Sequence, residues 1–189
     1  MVTMSPAAEQ LLRPASLVQV NDAGTAPKQM GVYGWWFEPG CLPTPVLPHP
    51  TADGFELLYV GIAPRKPAAA GSSSKSQLRA RLASHAKKDA SRSTLRLTLG
   101  VLLSDELGLT AGMQKGRVTW GPVGEQALTA WMQQHARIGW VADDTPWLVE
   151  EELLRSVPLP LNISGKDGAF TQSLALRRQQ ARLIARAQF

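Results

Sequence analysis

The sequence predicts an α+β domain: a small, mainly antiparallel sheet of three central strands flanked by helices. Three observations carry this reading. The runs GVYGWWF at 31–37 and FELLYVGI at 55–62 are rich in aromatic and branched residues and have the composition of strands. Leucines then recur at helical spacing, at Leu78 and Leu82 and at Leu95, Leu99 and Leu103. A third short strand pattern, Arg137 to Val141, lies between two further helical patterns. At 189 residues with 44% hydrophobic content, the chain suits one domain of ordinary size.

The elements follow in order. Residues 1–29 read as a flexible N-terminal segment with a helical turn at Ala7 to Leu12, an extended piece at Leu17 to Val20 and a turn at Asn21 to Gly24. In the first strand, Tyr33 and Trp35 share one face, and Val32, Gly34 and Trp36 the other. The loop 38–54 holds Pro43, Pro45, Pro48 and Pro50, too much proline for regular pairing. The second strand pairs antiparallel with the first, so that Tyr33 and Tyr59 face one cleft. Serines 72–74 can cap a helix from about 76 to 86, with Arg81 and His85 four apart beside its apolar stripe. A helix over 93–107, capped by Ser93, is weakened by Gly100, which points to close packing there. A short strand at 118–120 precedes a helix over 122–135 that buries Leu128, Trp131 and Met132. Thr145 and Pro146 mark the start of a helix running to about Ser156, with Thr145 as cap. Glu150 sits inside it, one turn from Trp147 and from Leu154, and is expected to be partly enclosed. Glu151 and Glu152 read as surface. The tail from 171 to 189 reads as a basic helix docked by Leu174, Leu176 and Leu183, with its arginines outward.

Charge narrows the partner. The net charge is +5, and nine Lys or Arg against one acid lie between Arg65 and Arg96. From Arg155 to Phe189 there are six basic residues against one acid. Such a surface suits phosphate. Arg79, Lys87 and Lys88 can touch a nucleic-acid backbone without reading its sequence. Cys41 is the one cysteine, which excludes an intrachain disulfide and a cysteine-based zinc cluster and fits a reducing, cytoplasmic setting. No signal peptide or membrane span is expected. Walker, zincin, dinucleotide-binding and GxSxG patterns are absent from the sequence.

What remains is a set suited to cutting a phosphodiester. Glu150 can hold a hard divalent cation, Mg²⁺ or Mn²⁺, with waters completing the shell. A single strong ligand favours one metal. Arg81 can bridge phosphate oxygens as charge builds. His85 or Tyr33 can take a proton from the attacking water. Tyr59 can orient the phosphate or the water, and Asn162 can fix the chain or reach the site.

These residues, in this order, resemble the GIY-YIG endonuclease family. Gly31-Val32-Tyr33 resembles the first motif and Tyr59-Val60-Gly61 the second, each with valine for isoleucine. Arg81 is similar to the family's catalytic arginine, Glu150 to its metal-binding glutamate and Asn162 to the asparagine that closes the Glu segment. The resemblance covers about residues 30–163, taken as the catalytic domain, and leaves 164–189 as a basic helical extension. The long 34–58 interval and a histidine four after the arginine resemble the branch containing some type II restriction endonucleases. There His85 would share or assume the role of base. The resemblance implies a DNA endonuclease, and double-strand cleavage by one site per chain would call for a homodimer. Two other readings stand beside it: a nucleic-acid-binding module that needs the basic helices but not Glu150, and a structural protein whose tyrosines are merely packed.

Overall fold

The computed structural model describes residues 4–66, 76–87 and 89–187. The proposed serine cap at 72–74 and the contact by Lys88 lie outside the described residues.

Three long strands form the centre of the sheet. β2 (Gly31–Phe37) lies between β4 (Phe55–Ala63) and β7 (Ala136–Ala142), antiparallel to both. Two-residue strands at the edges, β1 (Val18–Gln19) beside β7 and β3 (Thr51–Ala52) beside β4, widen it to five. Every residue of β2 is buried, because helices cover both faces. Tyr33, Trp35 and Phe37 enter one core, and Val32 and Trp36 enter the other, as alternation requires. The first core lies under α2 (Leu78–Lys87), α3 (Thr94–Leu102) and α5 (Gly121–His135). The second lies under α1 (Pro6–Leu12) and α6 (Pro146–Ser156).

Gly31 is required by the centre of this sheet. A Cβ there would stand 2.2 Å from the Val141 carbonyl oxygen, on the neighbouring backbone. The strands meet side by side only without it.

Several elements differ from their sequence reading. Among the described residues before residue 30, packing replaces the expected flexibility: Ala8 and Leu11 are fully buried against the sheet. Ser5 caps α1 and also donates its N–H and hydroxyl to Glu152 at 2.8 and 2.6 Å, so Glu152 ties α1 to α6. The expected helix 93–107 breaks at Leu103 into α3 and a four-residue α4 (Ser104–Leu107). Gly100 meets the Trp120 ring, where a Cβ would sit 2.1 Å from it, which accounts for glycine inside α3. The short strand near 118 is half of a hairpin, β5 (Gly112–Gln114) with β6 (Arg117–Thr119). Thr145 occupies the cap position of α6, but its side chain makes no capping bond. Its N–H and hydroxyl donate to Asp143 instead.

The tail forms α7 (Ala169–Ala187). Leu174, Ala181 and Ala185 dock it, whereas Leu176 and Leu183 face outward, 59% and 56% exposed. Small alanines let α7 lie close to α3 and the hairpin, and Leu176 and Leu183, each two positions from a docked residue, are left on the solvent side. No helix among the described residues is long and apolar enough to cross a membrane.

Candidate active site

A cleft of about 340 Å³ opens where β2, β4, α2 and α6 converge. Tyr33, Tyr59, Arg81, Glu150 and Asn162 line it. Five of the six residues singled out by sequence therefore share one cavity. His85 does not reach it.

Each side chain is delivered by an identifiable local cause. Tyr33 and Tyr59 lie on the same face of neighbouring strands, with Tyr33 opposite Gly61 and Tyr59 opposite Trp35. Between Trp35 and Trp36 the register slips by one residue, leaving Leu58 as the extra residue of a bulge. The freed Leu58 carbonyl accepts the Leu161 N–H at 3.1 Å. Asn162 completes the tether: its Oδ1 accepts from Val60 N–H at 2.9 Å and its Nδ2 donates to the Val60 carbonyl at 2.8 Å. Both ends of the amide are occupied by backbone, so Asn162 fixes the cleft wall and does not reach into it.

The second-motif glycine has a direct geometric reason. A Cβ on Gly61 would lie 2.5 Å from the Tyr33 hydroxyl oxygen and 2.6 Å from Cζ. Only glycine leaves that volume to the phenol. Gly61→Ala is accordingly expected to displace the Tyr33 phenol and to lower the melting temperature, since the added Cβ would take volume that the ring fills. A thermal melt beside the wild type checks this. An unchanged melting temperature would show that the ring moves aside without cost.

His85 stands behind Tyr33. It is fully buried, with the Tyr33, Trp35 and Tyr59 rings around it at centroid distances of 5.5, 6.0 and 6.3 Å. Its Nε2 is 2.8 Å from the Tyr33 hydroxyl and its Nδ1 is 2.6 Å from Ser93 Oγ. Burial, then the charges of Arg81 and Arg96, hold its pKa well below the usual histidine range. The imidazole is therefore neutral at pH 7. Arg81 and His85, four apart in the sequence, do not share the cleft. Arg81 faces the cleft, and the next turn carries His85 inward beneath the phenol.

Burial, then Tyr59, raises the Tyr33 pKa, against the opposing charge of Arg81. Tyr59 is raised too, first by burial. Burial works against the Arg81 charge, but Tyr33, Tyr59 and Glu150 outweigh it and leave its pKa above the ordinary value. Glu150 is half-buried. Burial, then Glu151, pushes its pKa to about 6, with Arg81 pulling the other way. Its carboxylate makes no hydrogen bond or ion pair among the described residues. An open, enclosed carboxylate fits a hard divalent cation that keeps most of its waters. Among the described residues no group of three or more His, Cys, Asp or Glu gathers to form a fuller protein cage.

The cleft also contains residues not singled out from the sequence. Arg65 and Lys66 border it just after β4, and Arg178 enters from α7. Lys66 is paired with Glu151 at 2.6 Å in an exposed bridge of small energetic weight. Ser93 caps α3 as expected, accepting from Arg96 N–H at 3.1 Å. Its contact with His85 had no sequence signal, because the two residues stand eight positions apart and meet only in the folded chain. Arg79 donates its Nε to the Ala26 carbonyl at 2.7 Å and anchors α2. Cys41, far from this chemistry, has its thiol pushed up to about 12, first by burial, and is a poor nucleophile.

Neither a curated protein nor a solved structure matches the chain. A family model described as the GIY-YIG catalytic domain matches residues 31–182, which includes both tyrosine motifs, Arg81, Glu150 and most of α7. With the α+β sheet and the cleft it encloses, that match, covering well over half of the sequence, means that this chain belongs to the GIY-YIG catalytic-domain family.

Proposed function

We propose that the chain is a divalent-metal-dependent endonuclease that hydrolyses DNA phosphodiester bonds. One observation carries the reading: Tyr33, Arg81 and Glu150 line a single cleft while the Tyr33 hydroxyl is hydrogen-bonded to a neutral histidine. A merely packed tyrosine would not need a titratable partner behind it and a guanidinium and carboxylate before it.

The roles follow from position. Glu150 would hold Mg²⁺ or Mn²⁺, which when bound supplies positive charge to the phosphoryl oxygens. Arg81 binds those oxygens and offsets the charge that grows on them. Tyr33 meets the attacking water. As the water oxygen bonds to phosphorus, its proton passes to Tyr33 Oη and the phenolic proton passes to His85 Nε2. The bond from phosphorus to the leaving oxygen breaks, and that oxygen takes a proton from solvent. This sequence uses the tautomer with Nδ1–H donating to Ser93 Oγ and Nε2 accepting from Tyr33. Tyr33 and His85 thus act in series rather than as competing bases. In the resting site both pKa shifts keep the proton on Tyr33. Negative charge arriving with the phosphate favours the imidazolium and permits transfer. Tyr59 orients the phosphate, and Asn162 keeps the Tyr59–Gly61 strand in register. Cleavage of both strands would use two copies of the chain.

The test is cleavage of supercoiled plasmid and branched DNA with Mg²⁺, Mn²⁺ or EDTA, beside Glu150→Ala. Metal-dependent cutting lost in the variant is expected. Salt-sensitive DNA binding without cutting under any metal would instead make the chain a binding module.

The Glu150 pKa adds a pH prediction. Its cation-binding form is the carboxylate, present above about pH 6. Below that value protons compete, so Mn²⁺ affinity of the free protein should fall by about tenfold per pH unit. Calorimetric titration on either side of pH 6 measures this. Affinity independent of pH would place the cation elsewhere.

A further inference from the structure

A second pocket, of about 260 Å³, adjoins the cleft and shares Arg65, Thr94 and Arg178 with it. Its remaining arginines are Arg92, Arg117, Arg182 and Arg186. No carboxylate lines it, and none of its six arginines forms an ion pair with a described residue.

Its origin separates this pocket from an ordinary solvated face. The six guanidinium groups come from four places: the end of β4, the α2–α3 turn, the hairpin and α7. On α7 the spacing 178, 182 and 186 puts three of them on one side of the helix. The docking of Ala181 and Ala185 aims that side at the hairpin and at the start of α3. Thr94, the first residue of α3, also lies in the wall, where the helix end carries partial positive charge. Burial and then the nearby Arg182 lower the Arg178 pKa, as expected of a cation crowded by another and left without a counter-charge. Folding brings like charges together here, and a bound anion relieves the repulsion.

We propose that this pocket is a second phosphate site, which grips the backbone of the cut strand beside the phosphate held at Arg81 and Glu150. The proposal rests on the nuclease reading of the cleft. Arginine forks suit phosphate oxygens and carry no base preference. α7 thereby becomes part of the substrate-binding surface, and the hairpin forms its opposite wall.

The experiment measures binding of a fluorescein-labelled DNA duplex in EDTA across a salt series. The proteins are wild type, the Arg182→Gln/Arg186→Gln double variant and Arg117→Gln. Plasmid cleavage by wild type with Mg²⁺ is followed separately. Each phosphate contact contributes about 0.9 to the slope of log affinity against log salt. The double variant should lose about one such contact or more, and Arg117→Gln should lower the slope in the same direction. Both arginines of the double variant are exposed, and circular dichroism checks the fold. Should that variant unfold, Arg117→Gln on the hairpin gives the decisive slope. A reduced slope in a wild type that also cuts supports both readings. A reduced slope without any cutting supports the phosphate site and overturns the nuclease reading. An unchanged slope in folded variants of a cutting protein overturns the phosphate site alone. Absence of DNA binding by wild type overturns both.

Discussion

Arg81→Lys is expected to lower the single-turnover rate of DNA cleavage by about 10² to 10³, the usual loss when one donor to the developing charge is removed. The guanidinium faces the cleft from α2, and Tyr33, Tyr59 and Glu150 strengthen its charge. Lysine retains a positive charge but not the planar fork that meets two phosphate oxygens at once. Ground-state DNA affinity should change far less than the rate, because the arginines of the adjoining pocket still hold the backbone. Rapid-quench cleavage with enzyme in excess separates the two quantities. A rate within about threefold of wild type, roughly two-thirds of a kilocalorie per mole in the barrier, would mean that Arg81 does not touch the transferring group.

Glu125→Ala is expected to destabilise the fold by about 3–5 kcal/mol, the cost of leaving a buried charge without its partner. Arg96 is fully buried, and its Nε and Nη2 donate to Glu125 Oε2 at 3.0 and 2.8 Å. Nη2 also bonds the Glu125 carbonyl and Thr129, and Nη1 bonds the His85 carbonyl. The other carboxylate oxygen accepts the N–H groups of Ala90 and Trp120 at 2.8 and 3.1 Å. One carboxylate therefore joins the end of α2, the start of α3 and the entry to α5. Removing it strands a guanidinium and two backbone donors. Urea unfolding should show the midpoint falling at unchanged slope. Replacing both partners with leucine should recover only part of the loss, because the donors of Ala90 and Trp120 stay orphaned. Full recovery would show that the ion pair, and not the backbone capping, holds these elements.

The Arg96–Glu125 node also marks a limit of sequence reading. Arg96 counts among the basic residues between 65 and 96, and local charge groups it with a phosphate-facing surface. It is instead the most deeply buried cation of that run, neutralised by a residue 29 positions later. His85 is similar: helical spacing places it four after Arg81, but spacing does not say which of two adjacent faces is covered. Only the packing of α2 over Tyr33 and Tyr59 turns Arg81 to the cleft and His85 to the interior. Arg178, Arg182 and Arg186 of α7 reverse the case. They read equally well as solvated or as phosphate-binding, and the fold gathers them with Arg65, Arg92 and Arg117.

By itself the sequence determined the central strands, the principal helices and the order of the motif residues. Strand alternation, leucine periodicity and proline or serine at helix starts are local effects, decided within a few residues. The ordered set from Gly31 through Asn162 likewise needs no contact map to be read. The tertiary structure alone decided what each side chain faces. Asn162 gave its amide to Val60, His85 was placed against the Tyr33 hydroxyl, Gly61 made room for a phenol, and residues before the first long strand joined both cores, Val20 and Ala23 the first and Ala8 and Leu11 the second. Those outcomes depend on burial and on partners distant in the chain, whose energies arise only when the elements pack.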